Sequence, residues 1–363
     1  MRALRDAGID NQMAVLLAAV STLLASLSIR SLLPEQFLRD DALMQQTIQY
    51  GSLIAPPDSF ELVGQVYEVL GLDAAPPLAA LVGVSLYVGA LLAAVGWGRV
   101  ARLSAPALAL TLAFFVPPLV YLAQYSKELV TVGLTLLVLT LPDGRGRSGR
   151  AAGELAVVGA ALAYGALLRP YWLIVAAVYI AWRILLPRTA HPAMLLLVPA
   201  LVYTALQPVF RRQLGHGLQG QRDWANAERA DDQVNTLIQS VSPDAEGAAG
   251  VFAALAMLGL MVLPVPLLAS GEAFQLASGA AIAGIWALVL VPVLSARLLD
   301  AGTAGAVRAA PAGRTVRAVR AASLLLAFLT VQALFEPDYG SALKHLTPLL
   351  PLVLAVHLHR RRS

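Results

Sequence analysis

Residues 77–95 read PLAALVGVSLYVGALLAAV, without one Asp, Glu, Lys or Arg. A hydrocarbon core about 30 Å thick needs roughly 20 such residues wound as a helix. Outward from this run the pattern recurs. Stretches 13–29, 105–122, 155–168, 172–180, 192–210, 248–270, 276–294 and 321–335 are nearly free of charge. Charged residues make up only 13% of the chain and hydrophobic residues 58%. None of the runs alternates like a barrel strand, so closed helices are the structures that satisfy the backbone in lipid. The expected fold is all-α, a polytopic transmembrane helical bundle of about nine to eleven crossings. It forms one integral membrane domain over residues 1–363, with two larger extracytoplasmic loops at 34–76 and 211–247.

Composition narrows the function. The net charge of +4 comes from Arg residues dispersed among membrane joints, which argues against a nucleic-acid partner and for positive-inside topology. With no cysteine there is no disulfide, thiol nucleophile or thiolate metal site. No P-loop, GxSxG, HExxH, dinucleotide or EF-hand pattern occurs. The opening MRALRDAGID is basic and leads into an apolar run with no small-residue cleavage site, which reads as an uncleaved first helix.

Five Arg-rich joints read as cytoplasmic: Arg99 with Arg102, Arg145 to Arg150, Arg183 with Arg188, Arg308 to Arg320, and the tail from His359. The alternate joints then face the other side. Between residues 248 and 320 the parity fails, and Pro264 and Pro266 interrupt the first of two runs there. One of those runs is expected not to cross fully, because broken helices are tolerated where protein buries them.

Ionisable groups at a membrane edge are costly and mark function. The outer joints collect them. The segment 336–345, EPDYGSALKH, turns at Pro337 and Gly340 and brings Glu336, Asp338, Tyr339, Lys344 and His345 to one edge. They are either a solvated hairpin or a site, with Lys344 and His345 suited to phosphate oxygens. Asp40 and Asp41 follow the first crossing as a general base, a cation site, or N-cap residues of an interfacial amphipathic segment at 42–50. A further amphipathic stretch, 59–72, is expected on the surface. At Tyr125-Ser126-Lys127-Glu128, capping accounts for Ser126 and Glu128, whereas Lys127 opposes the helix dipole and invites an anion. Arg169 precedes Pro170-Tyr171-Trp172 as a snorkelling or anion-binding residue. The 211–247 loop is basic at Arg211, Arg212 and Arg222, then acidic at Asp231 and Asp232, and its length suits a lid or binding segment.

These patches form one set: Arg39-Asp40-Asp41, Tyr125-Ser126-Lys127-Glu128, Leu168-Arg169-Pro170-Tyr171-Trp172 and the 336–348 stretch through Thr347-Pro348. Together they resemble the polytopic polymerases of bacterial surface polysaccharides, the Wzy and EpsG-like group within the GT-C-type membrane glycosyltransferases. The large loop lacks the paired Arg–Gly spacing of some O-antigen polymerases. The resemblance implies a multi-pass bacterial inner-membrane enzyme acting on polyprenyl-pyrophosphate-linked sugars at the extracytoplasmic face. Its implied partners are a lipid-linked oligosaccharide, membrane lipids and other polysaccharide-assembly proteins. Such a transfer needs cations on the leaving pyrophosphate, for which Lys127, Arg169, Arg211, Lys344 and His345 are candidates. It also needs a base at the acceptor hydroxyl, for which Asp40, Asp41, Glu336 and Asp338 are candidates, with His345 in the same catalytic set. The residues require no cofactor, and a divalent cation on the carboxylates stays open. The competing reading is a transporter or flippase for lipid-linked sugars or another anion. It would be favoured by inverted repeats or mid-helix acids, and neither is seen.

Overall fold

The computed structural model describes residues 2–51, 59–141, 146–187, 192–228, 236–242, 245–295 and 312–360. The readings of Arg145, Arg188, Asp231, Asp232 and Arg308 fall outside the described residues. Every regular element described is helical. The helices are α1 (Arg2–Ser26), α2 (Arg39–Tyr50), α3 (Ser59–Val69), α4 (Pro76–Val95), α5 (Ala105–Ala113), α6 (Pro117–Tyr121), α7 (Glu128–Thr140), α8 (Gly146–Leu167) and α9 (Tyr171–Leu185). Then come α10 (Met194–Leu214), α11 (Leu218–Glu228), α12 (Gly247–Val262), α13 (Ala273–Leu294), α14 (Ala312–Phe335), α15 (Tyr339–Leu346) and α16 (Leu350–Arg360), with single turns between some of them.

Among the described residues, seven stretches are long and apolar enough to cross a membrane: Ile9–Ser26, Pro76–Val95, Gly149–Leu167, Met194–Gln213, Ala273–Leu294, Val316–Phe335 and Tyr339–Leu358. Four shorter apolar segments accompany them. The prolines explain two of the short ones. Pro117 and Pro118 lack the N–H that would continue a helix, so the 105–122 run divides into α5 and α6. The run from 248 stops at Val262, just before Pro264, after 16 residues. At 1.5 Å per residue that is about 24 Å, short of the roughly 30 Å of a bilayer core. The next helix, α13, runs its full 22 residues through Pro292.

The chain divides into two compact units, one of Met1–Leu173 with His345–Leu358 and one of Ile174–Lys344 with His359–Ser363. In the first, α4 packs along α7 and against α1, and α2 pairs with α3. The contact of α4 with the chain before α7 requires Gly83, because a Cβ there would stand 2.8 Å from the Leu122 carbonyl oxygen. Met44, Val63, Tyr67, Leu72, Ala79 and Tyr125 make a core over this end. The α3 stretch, expected on the surface, turns Val63 and Tyr67 inward and leaves Gln65, Val66, Glu68 and Val69 exposed.

In the second unit α12 packs on α14 and α10, and α11 lies on α14. Tyr203, Leu218, Ala254 and Leu334 form its described core. Arg320, read as the end of a cytoplasmic joint, is fully buried and lies within the span Val316–Phe335.

Candidate functional site: a buried Glu128–Arg169–His345 cluster

α7 carries three polar side chains on one stripe, Glu128, Thr131 and Thr135, spaced three and four apart so that they share a face. All three are buried. Thr135 Oγ1 donates to the Pro348 carbonyl at 2.8 Å, which fastens the stripe to the segment following His345. α8 ends at Leu167 and α9 starts at Tyr171, so Arg169 sits in the turn between them. The turn is tight because Gly165 lets the Leu173 N–H approach to 2.7 Å of where a Cβ would stand.

These elements bring Arg169 Nη2 to 2.5 Å from Glu128 Oε1. Arg169 Nη1 donates to Tyr171 Oη at 2.8 Å and lies 2.9 Å from His345 Nδ1. The same Nδ1 is 2.8 Å from Glu128 Oε1. A guanidinium only donates and a carboxylate only accepts. Either Nδ1–H donates to Glu128, leaving Nε2 with a lone pair, or bare Nδ1 accepts from Arg169 and Nε2 carries the proton. One imidazole can thus present a base or an acid at its far nitrogen.

Burial opposes the charge on Arg169, but the Glu128 carboxylate and the Tyr171 and Tyr164 phenols more than offset it, holding its pKa well above the ordinary value. Arg169 is only 7% exposed and so does not snorkel to water. Thr131 Oγ1 lies 3.4 Å from Glu128 Oε2 and 3.1 Å from Tyr164 Oη, extending the network.

The turn before Glu128 is fixed from outside. Ser126, expected as the cap, lies one residue before the N-cap Lys127, and its Oγ accepts the Glu128 N–H at 3.2 Å. Tyr67 Oη accepts the Ser126 N–H at 3.1 Å and donates to the Ser126 carbonyl at 3.2 Å. Burial pushes the Tyr67 phenol to about 12, helped by Tyr125 and Asp41 and opposed by the Ser126 bond. Tyr125 Oη reaches the Leu72 and Asp73 carbonyls, and its pKa is raised by burial and then by Asp41.

Asp41, expected as a base or cation ligand, is fully buried as an anchor. Its Oδ1 accepts the Tyr125 N–H at 2.9 Å, and its Oδ2 takes Arg30 Nε and Gln45 Nε2 at 2.7 Å each. Asp40 is half-buried beside it in the first turn of α2. Lys127 Nζ lies 3.2 Å from Ser59 Oγ and 3.5 Å from the Phe60 ring centre.

The remaining candidates lie in the second unit. Asp338, also expected as a base, caps α15: Oδ1 accepts the Ser341 N–H and Oδ2 the Ser341 hydroxyl, both at 2.7 Å. Glu336 is buried, and its carbonyl oxygen accepts Arg222 Nε at 2.8 Å. Arg222 Nη2 reaches the Ala333 carbonyl at 2.5 Å, so this buried guanidinium satisfies the carbonyl end of α14. Arg211 pairs with Glu246 at the exposed surface. Lys344 is half-buried, one residue before His345. Among the described residues no group of three acidic or His side chains is arranged to hold a metal ion.

Of the expected site residues, Arg169 and His345 meet, and Glu128 joins them although capping had seemed to account for it. Its signal was the buried Glu–Thr–Thr stripe on an otherwise apolar helix. No family model, no curated protein and no solved structure matches this chain.

Proposed function

We propose that the protein is a multi-pass membrane glycosyltransferase that polymerises cell-surface polysaccharide at the extracytoplasmic face of the bacterial inner membrane, from polyprenyl-pyrophosphate-linked sugars. The observation that carries the reading is the contact of His345 Nδ1 with both Glu128 and Arg169. Glu128 holds Nδ1–H, and Nε2 takes the proton of the acceptor hydroxyl as its oxygen attacks the anomeric carbon. The bond from that carbon to the pyrophosphate breaks, and the leaving oxygens gain negative charge. Arg169, fixed and charged in a water-poor site, is the cation nearest that chemistry, with Lys344 as a second candidate.

The test is long-chain glycan formed by His345→Ala, Glu128→Gln and Lys344→Ala, each at wild-type membrane abundance, with Arg150→Ala at an exposed position as control. The expected result is loss of polymer by about a hundredfold for His345 and Glu128. Wild-type polymer in both variants would end this reading. Lipid-linked precursor retained on the cytoplasmic side would favour a flippase instead.

A further inference from the structure

The first unit also holds a cleft of about 630 Å³ that the transfer chemistry does not use. It lies where α1 ends and α4 begins, at the ends of two membrane-long helices. Its walls are apolar at Leu33, Leu38, Pro76 and Ala80, and its polar groups are Ser26, Ser28, Ser31 and one cation, Arg30. Leu24 on α1, Leu78 on α4, and Leu27 and Leu32 in the segment just after α1 are exposed large hydrophobics.

Arg30 turns one edge inward, where Nε and Nη2 meet Asp41 Oδ2 at 2.7 and 2.6 Å. Its side chain is still 37% exposed, and Nη1 makes no bond among the described residues. A guanidinium already half-neutralised by a buried carboxylate suits a singly charged phosphodiester, held through its second edge. A pyrophosphate carries more charge and needs more than one cation.

We infer that this cleft binds the phosphodiester head of a bilayer phospholipid, with the lipid chains lying on the exposed leucines of α1 and α4. The site is distinct from the Glu128–Arg169–His345 cluster but linked to it through the backbone. Arg30 holds Asp41, Asp41 holds the Tyr125 N–H, and Ser126 holds the Glu128 N–H. An occupied cleft therefore stiffens the turn that presents Glu128, and the bound lipid acts as a structural effector.

The experiment is a binding measurement, independent of glycosyl transfer. Full-length protein is purified in detergent, stripped of lipid, and its Tm followed against phosphatidylglycerol. Parallel titrations use diacylglycerol of the same chains, glycerol 3-phosphate and a long-chain prenyl pyrophosphate. Two variants are compared: Ser28→Glu, which puts a carboxylate in the cleft, and Arg30→Lys, which keeps charge against Asp41 but loses the second edge. A saturable rise with phosphatidylglycerol alone is expected, about tenfold weaker in either variant, as the loss of one charge-assisted contact predicts. Three results would overturn the inference. They are an equal rise with diacylglycerol, an equal rise with glycerol 3-phosphate, and tighter prenyl pyrophosphate binding that Ser28→Glu abolishes, which would make the cleft a substrate site.

Discussion

Two buried arginines show how one side chain serves two ends. Arg222 is fully buried, and its contacts are carbonyl oxygens at the end of α14. Burial lowers its pKa to about 10, partly restored by Glu336 and Asp223, so it stays charged at neutral pH while closing a helix. Arg169 is nearly as buried, yet its contacts are side chains that can gain or lose a proton or are held to one that can. Its pKa is raised rather than lowered. The difference is the partner. Carbonyls fix an end of structure, whereas a carboxylate and an imidazole make a site where charge can move.

The largest expected effect breaks the Arg169 side of the comparison. Glu128→Ala leaves a guanidinium buried without its carboxylate, which costs about 3–5 kcal/mol. Glu128→Gln keeps the shape and much of the fold, so thermal unfolding should separate the two while both lose transfer. Arg222→Ala should cost about 3 kcal/mol by orphaning two buried carbonyls. Arg222→Ala protein that remains folded should keep its transfer rate per molecule. If it instead loses rate at full stability, the division of labour fails.

Alkaline unfolding sharpens the account of the turn. The Tyr67 phenol stands at about 12 in the fold against 10 unfolded, so the neutral form is favoured in the fold. Its contribution, up to about 3 kcal/mol, is intact below pH 10 and lost as pH rises toward 12. Tyr67→Phe should flatten that part of the stability profile. Gly83→Ala drives a methyl against the Leu122 carbonyl and should cost about 1–3 kcal/mol by overpacking, seen as a lowered Tm. The smallest effect belongs to Lys127→Ala, under about 1 kcal/mol in stability and with no loss of transfer, because its Nζ faces Ser59 and Phe60.

The long apolar helices were legible in the sequence because run length and charge depletion alone mark them. The interruption at Pro264 was legible because proline lacks the N–H that continues a helix, whereas the 105–122 run read as unbroken and divides at Pro117 in the structure. The site was half legible. Arg169 and His345 stood out as charges at membrane edges, but Glu128 had a sufficient local explanation as a first-turn residue. Its true partners lie at residues 169 and 345, distant in sequence, and pairing over that separation leaves no local mark. The contacts of Asp41 and Asp338 left no mark either: the oxygens of one meet Arg30, Gln45 and the Tyr125 N–H, those of the other Ser341.

The central claim is that His345, held by Glu128, moves the proton in glycosyl transfer. Its most direct test is the single-turnover rate of purified His345→Gln and wild-type protein on a polyprenyl-pyrophosphate-linked glycan with a glycan acceptor. The amide keeps hydrogen-bonding capacity but cannot take the proton. The account predicts a rate lower by about a hundredfold or more with unchanged Tm. A wild-type rate from folded His345→Gln protein would contradict it.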